Sequence, residues 1–138
     1  MDGSFQKRPQ VIFIVILFTM ISSCEDNVIE LDKKSLTIYS THGFVISYLN
    51  VDLEMSEQAF TILKKDGVAG NNKIKLDSIG NDYYIIRNNK EFSLVNTYNI
   101  CKKIPILPNE EYIITNVSEG EASPSKIVFK TDNTGKVK

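Results

Sequence analysis

Beyond residue 34, apolar and polar positions exchange with the short period of strands. Lys73-Ile74-Lys75-Leu76 alternates residue by residue, as a strand with one face in water requires, because successive side chains leave a strand on opposite faces. Residues 36–39, 44–49, 60–63, 83–86, 92–95, 98–101, 112–117 and 127–129 are further strand candidates, rich in the β-branched and aromatic residues that suit a pleated, half-buried surface. Turn signals separate them: Asp66-Gly67, Gly70-Asn71-Asn72, Gly80-Asn81-Asp82, Asn88-Asn89 and Pro108-Asn109. The one helical rival, residues 51–59, is too brief and too weakly periodic to change the class. The pattern predicts an all-β fold, an antiparallel β-sandwich.

The N-terminal segment has a different character. Lys7 and Arg8 precede an apolar run over residues 11–21, broken only by Thr19. Eleven helical residues rise about 16 Å, well short of the roughly 30 Å hydrocarbon core of a bilayer. A permanent spanning helix is disfavoured, and the length suits the apolar part of a secretory signal. The run ends in Ile21-Ser22-Ser23-Cys24, which resembles the lipobox of bacterial lipoproteins. That resemblance implies cleavage after residue 23, diacylation of the Cys24 thiol and acylation of the new amino terminus. Several acyl chains, at about 0.8 kcal/mol per buried CH₂, anchor a protein permanently. Glu25-Asp26-Asn27 follows at once, and is similar to the acidic cluster behind the lipidated cysteine of surface-exposed lipoproteins in some Gram-negative anaerobes. An acidic residue in that place can instead signal inner-membrane retention in enteric bacteria.

These readings divide the chain into a cleaved signal (residues 1–23), a lipidated cysteine with an acidic tether (24–34) and a β-sandwich domain (35–138). The 138-residue chain carries a formal charge of −1. Losing Asp2, Lys7 and Arg8 with the signal would bring it to −2. Nucleic acid is excluded as an expected partner, since no net positive charge is present to draw a polyanion. A domain of this size can fold without a metal or disulfide staple.

Ile106-Leu107-Pro108-Asn109-Glu110-Glu111-Tyr112 resembles the turn into the penultimate strand of fibronectin type III domains, with Ile106, Pro108 and Tyr112 at the matching positions. The resemblance implies a tyrosine corner, the ring in the core and the hydroxyl bonded to backbone at the turn. Gly120, Ser123-Pro124-Ser125, Phe129 and Thr131 fall where that family has its last loop and last strand. Residues 44–48 resemble its second strand, with Tyr48 in the usual place of tryptophan. The chain departs from the family in having no tryptophan, in placing Asn116 where an inward apolar residue is expected, and in carrying extra strand-like material over residues 66–97. A transthyretin-like or pilin-like sandwich stays open.

Candidate chemistry is sparse. His42 is the only histidine. It has no ligand set around it for a metal, and neither Ser40 nor Ser47 sits in a nucleophile elbow. A bend before a strand is its expected place. Cys101 is expected as a small core residue, and the glycine-bearing stretch 67–73 as a hairpin connection. Tyr83 and Tyr84 should point to opposite faces of their strand. The paired lysines at 33–34, 64–65 and 102–103 suit sheet edges. Glu54, Glu57, Glu110 and Glu111 are expected in solvated loops. Asp77-Ser78-Ile79 resembles the short O-glycosylation sequon of some Gram-negative anaerobes, which makes Ser78 a candidate modification site. Asn116-Val117-Ser118 fits the eukaryotic N-glycan pattern, machinery that a lipobox-bearing chain would not normally meet.

The sequence thus predicts a lipoprotein of a Gram-negative envelope, anchored by Cys24 in the outer membrane and exposed at the cell surface. Its sandwich is expected to be a non-enzymatic binding or accessory module for a glycan or a partner envelope protein. No catalytic residue, cofactor or metal is expected. The alternatives are a fimbria-like assembly subunit and a small immunity-type lipoprotein; a hydrolase built on His42 is the enzymatic rival.

Overall fold

In the computed structural model, residues 27–88, 99–118 and 124–138 are described. Nine strands and no helix make up the described chain. They are β1 (Ile29–Asp32), β2 (Thr37–Ser40), β3 (Tyr48–Leu53), β4 (Gln58–Lys64), β5 (Lys73–Lys75), β6 (Tyr83–Asn88), β7 (Asn99–Cys101), β8 (Glu111–Asn116) and β9 (Lys126–Lys130). Two antiparallel sheets result, one ordered β1-β2-β5 and the other β7-β6-β4-β3-β8-β9.

The alternation that predicts strands also builds the core. In β3, Leu49, Val51 and Leu53 are buried; in β8, Tyr112, Ile114 and Asn116 are. Registers Leu49↔Ile62 and Ile62↔Ile85 extend the inward row across the large sheet. Ile29, Ile38, Ile74 and Leu76 supply the small sheet's share of the same apolar cluster. Such side chains stabilise the fold by about 1.5–3 kcal/mol each on full burial. Lys73 and Lys75 face water while Ile74 and Leu76 are buried, as the alternating pattern requires.

The structure corrects several expectations. Ile29–Asp32 is a strand paired with β2, so the sheets take in residues that the sequence reading gives to the tether. The short Ile-Glu-Leu-Asp alternation buries Ile29 and half-buries Leu31. Residues 44–47 are loop, and the second strand is Thr37–Ser40, ended by a turn in which Gly43 has a φ of 74°. Tyr48 opens the third strand out of phase with the buried Leu49, so it does not take a core tryptophan's place. Residues 51–59 form the end of β3, a turn and the start of β4.

The glycine-bearing stretch after β4 is a crossover between sheets. β4 lies in the large sheet, whereas β5 pairs with β2 in the small one. The strand candidate at 92–95 lies outside the described residues. The rest of the described extra material forms β6, which pairs with β4 and, with β7 beyond it, widens the large sheet.

Candidate functional site

Asn27 stands at an end of the sandwich that holds a connected polar cluster. Ser40 of the small sheet donates through Oγ to Asn27 Oδ1 at 3.0 Å. Asn116 of the large sheet donates through Nδ2 to the Asn27 carbonyl at 2.8 Å. Asn27 therefore fastens both sheets to the start of the domain. Asn116 is fully buried, and its Oδ1 accepts from the Ser118 amide at 3.1 Å and hydroxyl at 2.6 Å. Ser118 Oγ in turn accepts from the amides of Ser47 and Tyr48, at 3.1 and 3.3 Å. Asn116 stands in an apolar row because a buried polar group with its hydrogen bonds made carries no desolvation penalty of the unsatisfied kind. Its burial also removes the Asn116-Val117-Ser118 amide from reach of a glycan donor.

The same end gathers two loops. Phe44 N–H donates to Ser40 Oγ at 3.1 Å, pinning the β2–β3 loop. Tyr83 donates its hydroxyl to the Ile46 carbonyl at 2.8 Å and accepts from the Asn71 amide at 2.8 Å, joining that loop to the crossover. Burial raises the Tyr83 phenol above its ordinary pKa, outweighing the Asn71 hydrogen bond. Tyr84, the next residue, is exposed, with the Lys65 ammonium 5.0 Å from its ring centroid. The two rings do face opposite sides.

At the opposite end, Glu110 is buried, contrary to the solvated loop expected for it. Its carboxylate accepts from the amides of Met55 at 2.7 Å, Ser56 at 3.0 Å and Glu111 at 2.9 Å. Burial raises its pKa, but these hydrogen bonds outweigh burial and leave it lowered from 4.5. The group ties the β3–β4 turn to β8. A shallow depression of about 200 Å³ lies beside it, lined in part by Met55, Lys130 and Lys138. Glu54 and Glu57 are exposed on the turn itself.

Tyr112 makes the corner that its sequence context implies. It is fully buried, accepts from the Leu107 amide at 2.8 Å and donates to the Pro105 carbonyl at 2.9 Å. Its ring stacks on Phe129, centroids 4.7 Å apart and planes 7° from parallel.

The other candidates are dispersed. His42 is exposed in the turn after β2, its ring 6.3 Å from that of Phe44. Ser40, a conceivable nucleophile beside it, has its hydroxyl engaged with Asn27 and Phe44. Cys101 is half-buried in β7 against the core. Ser78 is exposed in a bend after β5, its amide bonded to the Lys75 carbonyl at 3.1 Å. Cys24 lies outside the described residues. Among the described residues, no three His, Cys, Asp or Glu side chains cluster as a metal site would need. Asn27, Asn116 and Glu110 escape sequence reasoning because each is defined by partners 13 to 89 residues away. No protein-family model, curated protein or solved structure matches this chain.

Proposed function

We propose that this chain is an envelope lipoprotein whose acylated Cys24 holds a non-enzymatic, fibronectin type III-like module at a Gram-negative outer membrane, exposed at the surface. The sequence Ile21-Ser22-Ser23-Cys24 carries it, with Asn27, three residues after that cysteine, bonded to Ser40 and Asn116 of the two sheets. The strand order supports the family likeness. β1, β2 and β5 form one sheet, and β8, which carries the tyrosine corner, lies between β3 and the last strand, β9, in the other. The Tyr112 corner agrees, and β6 and β7 are this chain's own addition. The module's work is recognition of a glycan or a partner envelope protein, with no nucleic acid involved. Ser78, exposed in its bend, serves as an O-glycan acceptor.

Metabolic palmitate labelling of wild type and Cys24→Ala, with protease shaving of whole cells, tests anchoring and display together. Label lost in the variant supports the anchor; label equal in both overturns it. Protection of the domain in intact cells overturns surface display. A second reading, an assembly subunit joined by strand addition, is favoured by β7. It forms one edge of the large sheet and exposes two-thirds of Ile100. A monomer at every concentration in sedimentation removes that reading.

A further inference from the structure

We propose that the end of the sandwich at which the chain arrives from Cys24 is a lipid-docking face, seated on the membrane that holds the anchor, with Phe44 and Val45 at the contact. The inference rests on the reading of Cys24 as an acylated residue and specifies how the domain then sits.

Chain length drives the argument. Only Glu25 and Asp26 separate Cys24 from Asn27. Three extended steps span at most about 11 Å at roughly 3.6 Å per residue. Asn27 cannot lengthen this reach, because Ser40 and Asn116 bind it to both sheets. An acylated Cys24 sits at the level of the headgroups, so the Asn27 end of the domain must lie against them. The long flexible spacer that would let the module stand clear is absent between these two residues.

What lies at that end suits such contact. Phe44, Val45, Val28 and Val117 are 41%, 43%, 38% and 37% exposed. Val28 and Thr41 are bonded neighbours, and Val117 donates its amide to Tyr48 at the start of β3. Apolar groups exposed at one end of a domain suit contact, and the bilayer interface accepts them beside an acyl anchor. The loop is already shaped for it: the amides of Phe44, Ser47 and Tyr48 are held by Ser40 and Ser118, which also hold or share the partners of Asn27. Little ordering remains to be done on docking. Lys65, Lys73 and Lys126 share this end, but so do Asp66 and Asp82, so apolar contact rather than net charge carries the docking.

The far end provides the control. The six residues of β3, at about 3.3 Å each, carry the chain about 20 Å away to the β3–β4 turn, where Met55 is 69% exposed. The chain has no tryptophan, so Phe44→Trp and Met55→Trp each install a single tryptophan, which can be excited apart from the tyrosines. The full chain, matured in a bacterium that processes lipoproteins, is reconstituted in phosphatidylethanolamine–phosphatidylglycerol vesicles with and without brominated acyl chains. Flotation with the vesicles and acyl mass on Cys24 verify the anchor first. Loss of most of the emission at position 44, with emission at position 55 unchanged, supports the docking face. Unchanged emission at both positions in floated, acylated protein overturns it while leaving the anchor standing, as does equal loss at both, which means that the domain lies flat. Protein that neither floats nor carries acyl mass overturns the anchor, and the docking falls with it. His42→Trp, exposed in the same loop, replaces Phe44→Trp if that variant does not melt cooperatively, and is read by the same outcomes.

Discussion

The amide of Met55 donates to the Glu110 carboxylate at 2.7 Å, and this bond clamps the β3–β4 turn onto the start of β8. The turn needs such a clamp because Glu57 within it has a φ of 54°, a left-handed conformation uncommon for a residue with a Cβ. With the amides of Ser56 and Glu111 also aimed at it, the carboxylate is stabilised in its charged form.

A pH dependence follows with a definite sign. The folded-state pKa of Glu110 lies below its ordinary value of 4.5, so its contribution is complete above that value and is lost as pH falls through the lower, folded-state value. Asp32 and Asp132, held low by hydrogen bonds from Ser35 and Thr134 and exposed to solvent, shift the same way with less effect on stability. Glu110→Gln should cost about 1.5–3 kcal/mol at neutral pH, the range for hydrogen bonds to a charged group. The gap between variant and wild type should close on acidification well below 4.5. Urea melts across pH measure it; a gap that stays constant would show that the charge is irrelevant.

Tyr112→Phe removes the two backbone bonds of the corner and keeps the ring on Phe129. The Leu107 amide and the Pro105 carbonyl lose a buried partner, so the loss should be about 1–3 kcal/mol. Thermal melts with Phe129→Leu in a double-mutant cycle separate the terms. Because Phe keeps the stacking, the two substitutions should be nearly additive.

Gly70→Ala should destabilise more than Gly67→Ala. Both glycines have positive φ, 73° and 76°. A Cβ at Gly70 would lie 2.5 Å from Lys64 Cδ and 2.8 Å from Val45 Cγ1, whereas one at Gly67 meets nothing within 4 Å. The left-handed conformation alone costs roughly 1–2 kcal/mol, so Gly67→Ala should show about that loss and Gly70→Ala a larger one. Equal urea midpoints for the two would mean that Lys64 and Val45 yield freely.

These residues also show what a sequence can and cannot reveal. The alternation of Lys73 to Leu76 is a local signal, and it survives intact in β5. The Tyr112 corner was legible because the proline, the turn and the ring lie within a few residues of one another. Glu110 and Asn116 were not, because carboxylate and amide find their partners in Met55 and Asn27, 55 and 89 residues away. The crossover after β4 has the local pattern of a hairpin connection, because its glycines specify a bend but not which sheet receives the next strand. That choice rests on the pairing of Ile74 with Ile38. Within the site, Cys24 and Ser78 are motif readings, and the Asn27 cluster is a product of folding alone.

Asn116→Ala should loosen the arrival of the chain at the domain. It leaves the Asn27 carbonyl without its 2.8 Å donor and the Ser118 hydroxyl without its 2.6 Å acceptor. Each buried group so orphaned costs about 1–3 kcal/mol. Because Ser118 reaches the rest of the cluster through its own hydroxyl, Ser118→Ala added to Asn116→Ala should cost less than the two single losses combined, with a coupling of about 0.5–3 kcal/mol. Hydrogen exchange at the Ser47 and Tyr48 amides, which depend on Ser118 Oγ, should quicken in both single variants. If exchange quickens in Ser118→Ala only, Asn116 holds the start of the chain without orienting the β2–β3 loop, and the two functions of the cluster are separable.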